Sequence, residues 1–128
     1  TYRRCIYRKT VWQGNGGRVY FYQSELPYDP PTQSAWRSAT GRGHVAYQVA
    51  DSVTRHEAWG LGVYSVFLKP DVVLDRAIEA PPRPGVRFHH MITVCLVDKG
   101  GIERIVNDAG EPARCKGGSN TATLKAYP

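Results

Sequence analysis

The chain has 128 residues, a formal net charge of +6, 41% apolar residues and 22% charged residues. That length fits one domain with a modest core, and this balance, without any block of like charge, excludes a disordered chain. The longest apolar runs fall far short of the ~20 residues that a membrane-spanning helix needs, and the opening TYRRCIYRKT has no signal-peptide apolar region, so the expectation is a soluble chain, either mature or a fragment.

In chain order, YRKTVW (7–12) and RVYFYQSEL (18–26) read as strands joined by QGNGGR (13–18), whose glycines make positive φ inexpensive. PYDPPTQSAW (27–36) cannot lie in a central strand, because proline supplies no ladder hydrogen bond; Asp29 before Pro30 reads as a turn residue. Trp36 lies in the polar segment TQSAWRSATGRG and is expected to be exposed there. HVAYQVA (44–50) is the next strand. DSVTRHEAWGLG (51–62) begins with an Asp suited to a helix cap, yet Gly60 and Gly62 would stop a helix after about two turns. Trp59 is expected to pack inward. GVYSVFL (62–68), DVVLDRAI (71–78), RFHHMITVCLV (87–97) and IERIVND (102–108) complete the strand signals, with APPRPGVRF as a further ordered loop. Signals that recur about every twenty residues suit an all-β sandwich with long connections or the rungs of a parallel β-helix; pattern alone favours the sandwich.

The remaining motifs mostly exclude. Cys5, Cys95 and Cys115 permit one disulfide and show no zinc-site spacing; Cys5 with Cys115 is the pairing considered, and Cys95 inside MITVCLV reads as a small buried hydrophobe. His89 and His90 are adjacent and would face opposite sides of a strand, and His44 and His56 lack a helical relation, so no metal site and no cofactor is expected. His56 beside Glu57 reads as a hydrogen-bonded structural residue rather than half of an acid/base pair. GNGG precedes neither a helix nor Lys-Ser/Thr and is no phosphate loop. The Arg surplus is scattered, which disfavours nucleic acid; a binder of some other anionic partner stays open.

Three long blocks carry a resemblance: YRKTVWQGNGGRVYFYQSELPYDPP, AYQVADSVTRHEAWGLGVYSVF and PGVRFHHMITVCLVDKGGIERIVNDAG. In this order, over about residues 7–110, the chain resembles the C-terminal part of secreted β-helical proteins related to glycoside hydrolase family 55, the β-1,3-glucanases. The resemblance implies an all-β fold of right-handed parallel β-helix coils, with residues 1–128 forming a single β-rich domain like the closing coils of the second of two lobes. It implies a secreted, extracellular protein whose partner is β-glucan or another polysaccharide, and no membrane.

The resemblance also implies a role for VYFYQSELPYDPPTQ (19–33). In the family a Gln-x-Glu segment carries the acid that protonates the leaving glycosidic oxygen in an inverting reaction, and the matching residues are Gln23 and Glu25. Tyr22 and Tyr28 would desolvate that carboxyl group and raise its pKa, and with Gln23 and Trp36 they would contact sugar. The family places another acidic residue about one coil earlier, where this chain reads TYRRCIY with Arg3 and Arg4 and no carboxylate. The first implication is therefore a carbohydrate-binding module, the second a β-1,3-glucanase fragment with Glu25 as general acid, and the third a structural cap that prevents edge pairing, with self-association or a missing first lobe as its partner.

Overall fold

In the computed structural model, which describes residues 9–128, the protein is built of strands and turns, with no helix among the described residues. The early strands are β1 (Thr10–Trp12), β2 (Gly17–Tyr20), β3 (Gln23–Glu25), β4 (Arg37–Ser38), β5 (Gly41–Arg42) and β6 (Tyr47–Val49). They are followed by β7 (His56–Ser65), β8 (Val73–Leu74), β9 (Ile78–Glu79), β10 (Val86–Cys95), β11 (Gly101–Ile102), β12 (Ala113–Arg114) and β13 (Asn120–Tyr127).

The order of pairing is set by return, not by hairpins. The chain leaves β1 for β2 and β3, comes back to β6 and β7, passes β8, and comes back again to β9, β10 and β11, each return landing parallel to the strand laid down before it. Thr10 lies beside Tyr47 and Tyr47 beside Ile78; Gly17 lies beside His56 and His56 beside Val86; Val73 lies beside Gly101. QGNGGR is thus a corner between two sheets. Asn15 fastens it, its Oδ1 accepting from the backbone N–H groups of Thr54 (2.8 Å) and Arg55 (3.1 Å). At the far side of the main sheet β13 runs antiparallel to β10, and β12 runs antiparallel to β11. The small β4–β5 pair stands apart.

The core lies between the sheets. Tyr47, Val49, Ala58, Leu61, Val63, Leu74, Ile78, Phe88, Met91, Ile102 and Ile105 are all buried in it. Neighbouring positions in the main sheet differ in size: Val19, Ala58 and Phe88 share one inward row, so the small Ala58 leaves room for the Phe88 ring, which meets Tyr47 edge-on at 6.3 Å. Side chains of this kind contribute about 1.5–3 kcal/mol each on burial. His56 is inside as well, with Trp12, Tyr47 and Phe88 around its ring. Its burial pushes the imidazole pKa down, because the charged form is the one that desolvation penalises.

Three expectations are corrected here. Trp36 is 1% exposed, tilted against Phe67 at 5.5 Å, because its polar segment folds back over the core. Trp59 faces outward and is half-buried. The disulfide joins Cys95 to Cys115, which the turn from β10 through β12 brings within 5.6 Å between Cα atoms; Cys5, Arg3 and Arg4 lie outside the described residues.

One irregularity shapes the outer face. Tyr20, Trp59 and His89 share a row, and so do Gln23, Gly62 and Ile92, but between those rows Phe21, Gly60 and His90 all have positive φ, at 57°, 71° and 54°. An extra left-handed residue in each strand breaks the two-residue alternation. Arg18 and Tyr20 face solvent before it, and Gln23 and Glu25 face solvent after it. Two rows that a regular strand would put on opposite faces therefore share one. For the same reason His89 and His90, expected on opposite sides, are both on the solvent side.

Candidate functional site

The outer face of the main sheet presents β3 at its edge, with Gln23 and Glu25 both exposed beside Gly62 and Tyr64 of β7. Glu25 lines two open clefts. One, of about 340 Å³, is bounded by Gln23, Ser24, Tyr64 and Leu96; the other, of about 440 Å³, is bounded by Lys9, Leu26, Pro27, Tyr28, Asp29 and Leu68. The Tyr28 hydroxyl donates to Glu25 Oε2. That bond, more than any burial, pushes the Tyr28 phenol pKa up, since losing the proton would set two negative oxygens against each other. Gln23 makes no side-chain hydrogen bond among the described residues, so its amide can both donate to and accept from a ligand.

Glycine shapes the floor. A Cβ on Gly62 would meet the ring of Tyr64, with its hydroxyl 2.8 Å away, and a Cβ on Gly60 would sit 3.2 Å from the Phe21 ring. The phenol of Tyr64 therefore lies over bare backbone beside Gln23. In the sequence these two glycines read only as breakers of a helix; their spacing inside a strand pattern is the available signal of close approach.

The site residues expected from the sequence divide. Gln23, Glu25 and Tyr28 come together on the outer face. Tyr22 does not: it turns inward, its hydroxyl donating to the Ala46 carbonyl (3.0 Å) and lying 3.1 Å from Thr10 Oγ1, with its ring edge-on to Tyr47 at 4.9 Å. The wall that was to desolvate Glu25 is therefore absent on that side. Trp36 is in the core and has no face to offer a sugar.

Beside this site the rings of Tyr20, Trp59 and His89 form a stack, with centroids 4.9 and 5.3 Å apart and planes 7° and 12° from parallel. Glu57 Oε2 lies 2.7 Å from His89 Nε2 and 3.5 Å from Arg87 Nη2. Thus Glu57 and the buried His56 serve opposite faces of β7, and the structural reading of His56 stands: its Nε2 lies 2.8 Å from the Tyr47 hydroxyl. Arg18, Arg55 and Arg87 line a cleft of about 330 Å³ with Glu57 among them, so the positive charge there is partly offset.

No family model matches the chain. It is similar to the exo-β-1,3-glucanase of Streptomyces sp. (strain SirexAA-E / ActE), 44% identical over 102 residues, a match that takes in 79% of this chain and 17% of that protein. Among solved structures it is similar to sacteLam55A from Streptomyces sp. SirexAA-E, with a TM-score of 0.90 and 37% identity over 96% of this chain and 22% of the other. A variant of sacteLam55A in complex with glucose aligns with a TM-score of 0.86 and 35% identity over 96% of this chain and 23% of the other. The chain therefore spans about a fifth of these relatives.

Proposed function

We propose that this chain, a relative of the family 55-like β-1,3-glucanases, is a β-1,3-glucan-binding unit in which Gln23, Glu25 and Tyr28 contact the sugar. Its parallel ladders are read as successive turns of a right-handed parallel β-helix, with β12 and β13 closing one end. The observation that carries the reading is the shared outward face of Gln23 and Glu25 beside an open cleft, in a chain 44% identical to an exo-β-1,3-glucanase. Polar groups of this kind on a sheet with aromatic neighbours suit a ligand made of hydroxyls and apolar ring faces. The glucose complex of a similar structure supports the same ligand class.

Binding is favoured over hydrolysis by what surrounds Glu25. An inverting glycosidase needs a protonated acid and, roughly 6.5–9.5 Å away, a group that activates water. Glu25 is exposed, Tyr22 is turned from it, and its oxygen is engaged by Tyr28. The Cys95–Cys115 disulfide supports a secreted setting, since such bonds persist in oxidising compartments.

The test is a day-long series of proton spectra of the chain mixed with laminarihexaose. Ligand line-broadening without new anomeric signals supports the binding unit. Release of α-anomeric glucose, lost in Glu25→Gln, would replace it with the hydrolytic reading; an unchanged spectrum would sink both.

A further inference from the structure

Among the described residues Phe21 is the most solvent-exposed of the large hydrophobic side chains, at 85%, and it has φ of 57°. Both features run against folding stability. A bulky residue in the left-handed region is strained, and its ring gains nothing from burial. The other two strands place Gly60 and His90 at the same rung, so a left-handed residue is required there and glycine would satisfy it at less cost. Folding therefore explains the backbone shape of residue 21 without explaining its ring.

The ring's position is defined. It lies over Gly60, 3.2 Å from where a Cβ would stand, and Tyr64 lies similarly over Gly62 two residues on. Gln23, whose amide is open, pairs with Gly62 between them, and Glu25 pairs with Tyr64 at the far end. Rings therefore flank a hydrogen-bonding amide, with a carboxylate beyond, along a single edge. A pyranose offers the matching surface: apolar C–H faces for the rings and equatorial hydroxyls for amide and carboxylate.

Resting on the glucan-binding reading above, we propose that Phe21 is a stacking platform for a glucosyl residue of the bound β-glucan, on the side of Gln23 away from Glu25, with the Tyr64 ring as the neighbouring contact. The ligand then runs along β3 and past Gly60, and chain-length preference is set at Phe21. Strain is retained at residue 21 because the platform is needed.

Phe21→Gly separates this role from a structural one, because the substitution relieves the backbone while deleting the ring. Titrations of laminarihexaose into the purified chain, followed by ligand line-broadening, are compared with thermal melts. The expected result is a thermal midpoint equal to or above the parent's, with affinity about tenfold weaker, the size of a lost aromatic anchor. Phe21→Trp should bind within about twofold of the parent, since a larger ring is kept. Unchanged affinity in Phe21→Gly would overturn the platform while leaving the glucan-binding reading intact, and so would a lowered midpoint with affinity intact. A parent chain that dimerises, with dimerisation lost and glucan affinity unchanged in Phe21→Gly, would assign the ring to a contact between copies instead. Failure of the parent chain itself to bind would overturn both readings together.

Discussion

The hydroxyl of Tyr47 lies 2.8 Å from Nε2 of His56, and both side chains are buried in the core. Burial raises the Tyr47 phenol pKa and lowers that of the His56 imidazole, so both groups are held neutral. Tyr47→Phe leaves a buried ring nitrogen unpaired and should cost about 1–3 kcal/mol in denaturant unfolding. The pH dependence has a definite sign. Below pH 6.5 the unfolded imidazole takes up a proton that the folded ring declines, so stability should fall with falling pH and level off once the lowered folded value is passed. His56→Gln should remove that part of the slope, measured as thermal midpoint against pH; a parent and variant with parallel profiles would contradict the assignment.

Tyr28 reports on Glu25 from the surface. Its phenol should titrate above the usual value of about 10 in ultraviolet difference spectra, and Glu25→Gln should return it toward that value, because the carboxylate is the cause. Neither group is buried, so the melting temperature at neutral pH should hardly move.

Reduction of Cys95–Cys115 opens a loop whose ends are 20 residues apart in sequence. Chain-entropy arguments put the loss at about 3 kcal/mol, to be read from urea unfolding with and without reductant. The paired Cys95→Ala, Cys115→Ala variant should match the reduced protein.

Asn107 ties the end of one turn to the strand beside it. Its Oδ1 accepts from Ala80 N–H at 3.1 Å, and its Nδ2 donates to the Ala80 carbonyl at 2.9 Å and to the Tyr127 hydroxyl at 2.7 Å, from a backbone with φ of 50°. Asn107→Ala loses those bonds and places a poorer residue in the left-handed region, for an expected cost of about 2–3 kcal/mol in urea unfolding. Asn107→Gly, which keeps the backbone and loses the bonds, should cost less than Asn107→Ala.

Much of the fold was legible because β-branched and aromatic runs mark strands whatever their partners. RVYFYQSEL, HVAYQVA, GVYSVFL and RFHHMITVCLV each fall on a strand, and the all-β class follows from them. Pairing was not legible in those runs, since the same apolar residues serve a sandwich and a parallel stack; only the long blocks of resemblance pointed to the stack. NTATLKAY was passed over because its Thr, Ala and Lys carry little apolar weight, yet it forms β13 along the edge of β10. Trp36 was misplaced for a related reason: its polar neighbours predict exposure locally, while burial is decided by Phe67, remote in the chain. At the site, Gln23 and Glu25 come from the resemblance alone, through its Gln-x-Glu segment. Tyr22 and the shared outward face of both rows required knowing about the left-handed residues at Phe21, Gly60 and His90, of which only the glycine gave any sign.

Those left-handed residues also bear on how the chain avoids assembling wrongly. Parallel strands rich in Val, Ile and aromatic residues can slide by a residue or two with small loss, the usual source of misregistered sheets. Here the parallel strands of the main sheet carry a kink at one rung, where Phe21, Gly60 and His90 align. A strand shifted by one position would set a kink against straight backbone and forfeit hydrogen bonds on both sides of it. The kink thus works as a notch that holds neighbouring strands of this sheet in one register.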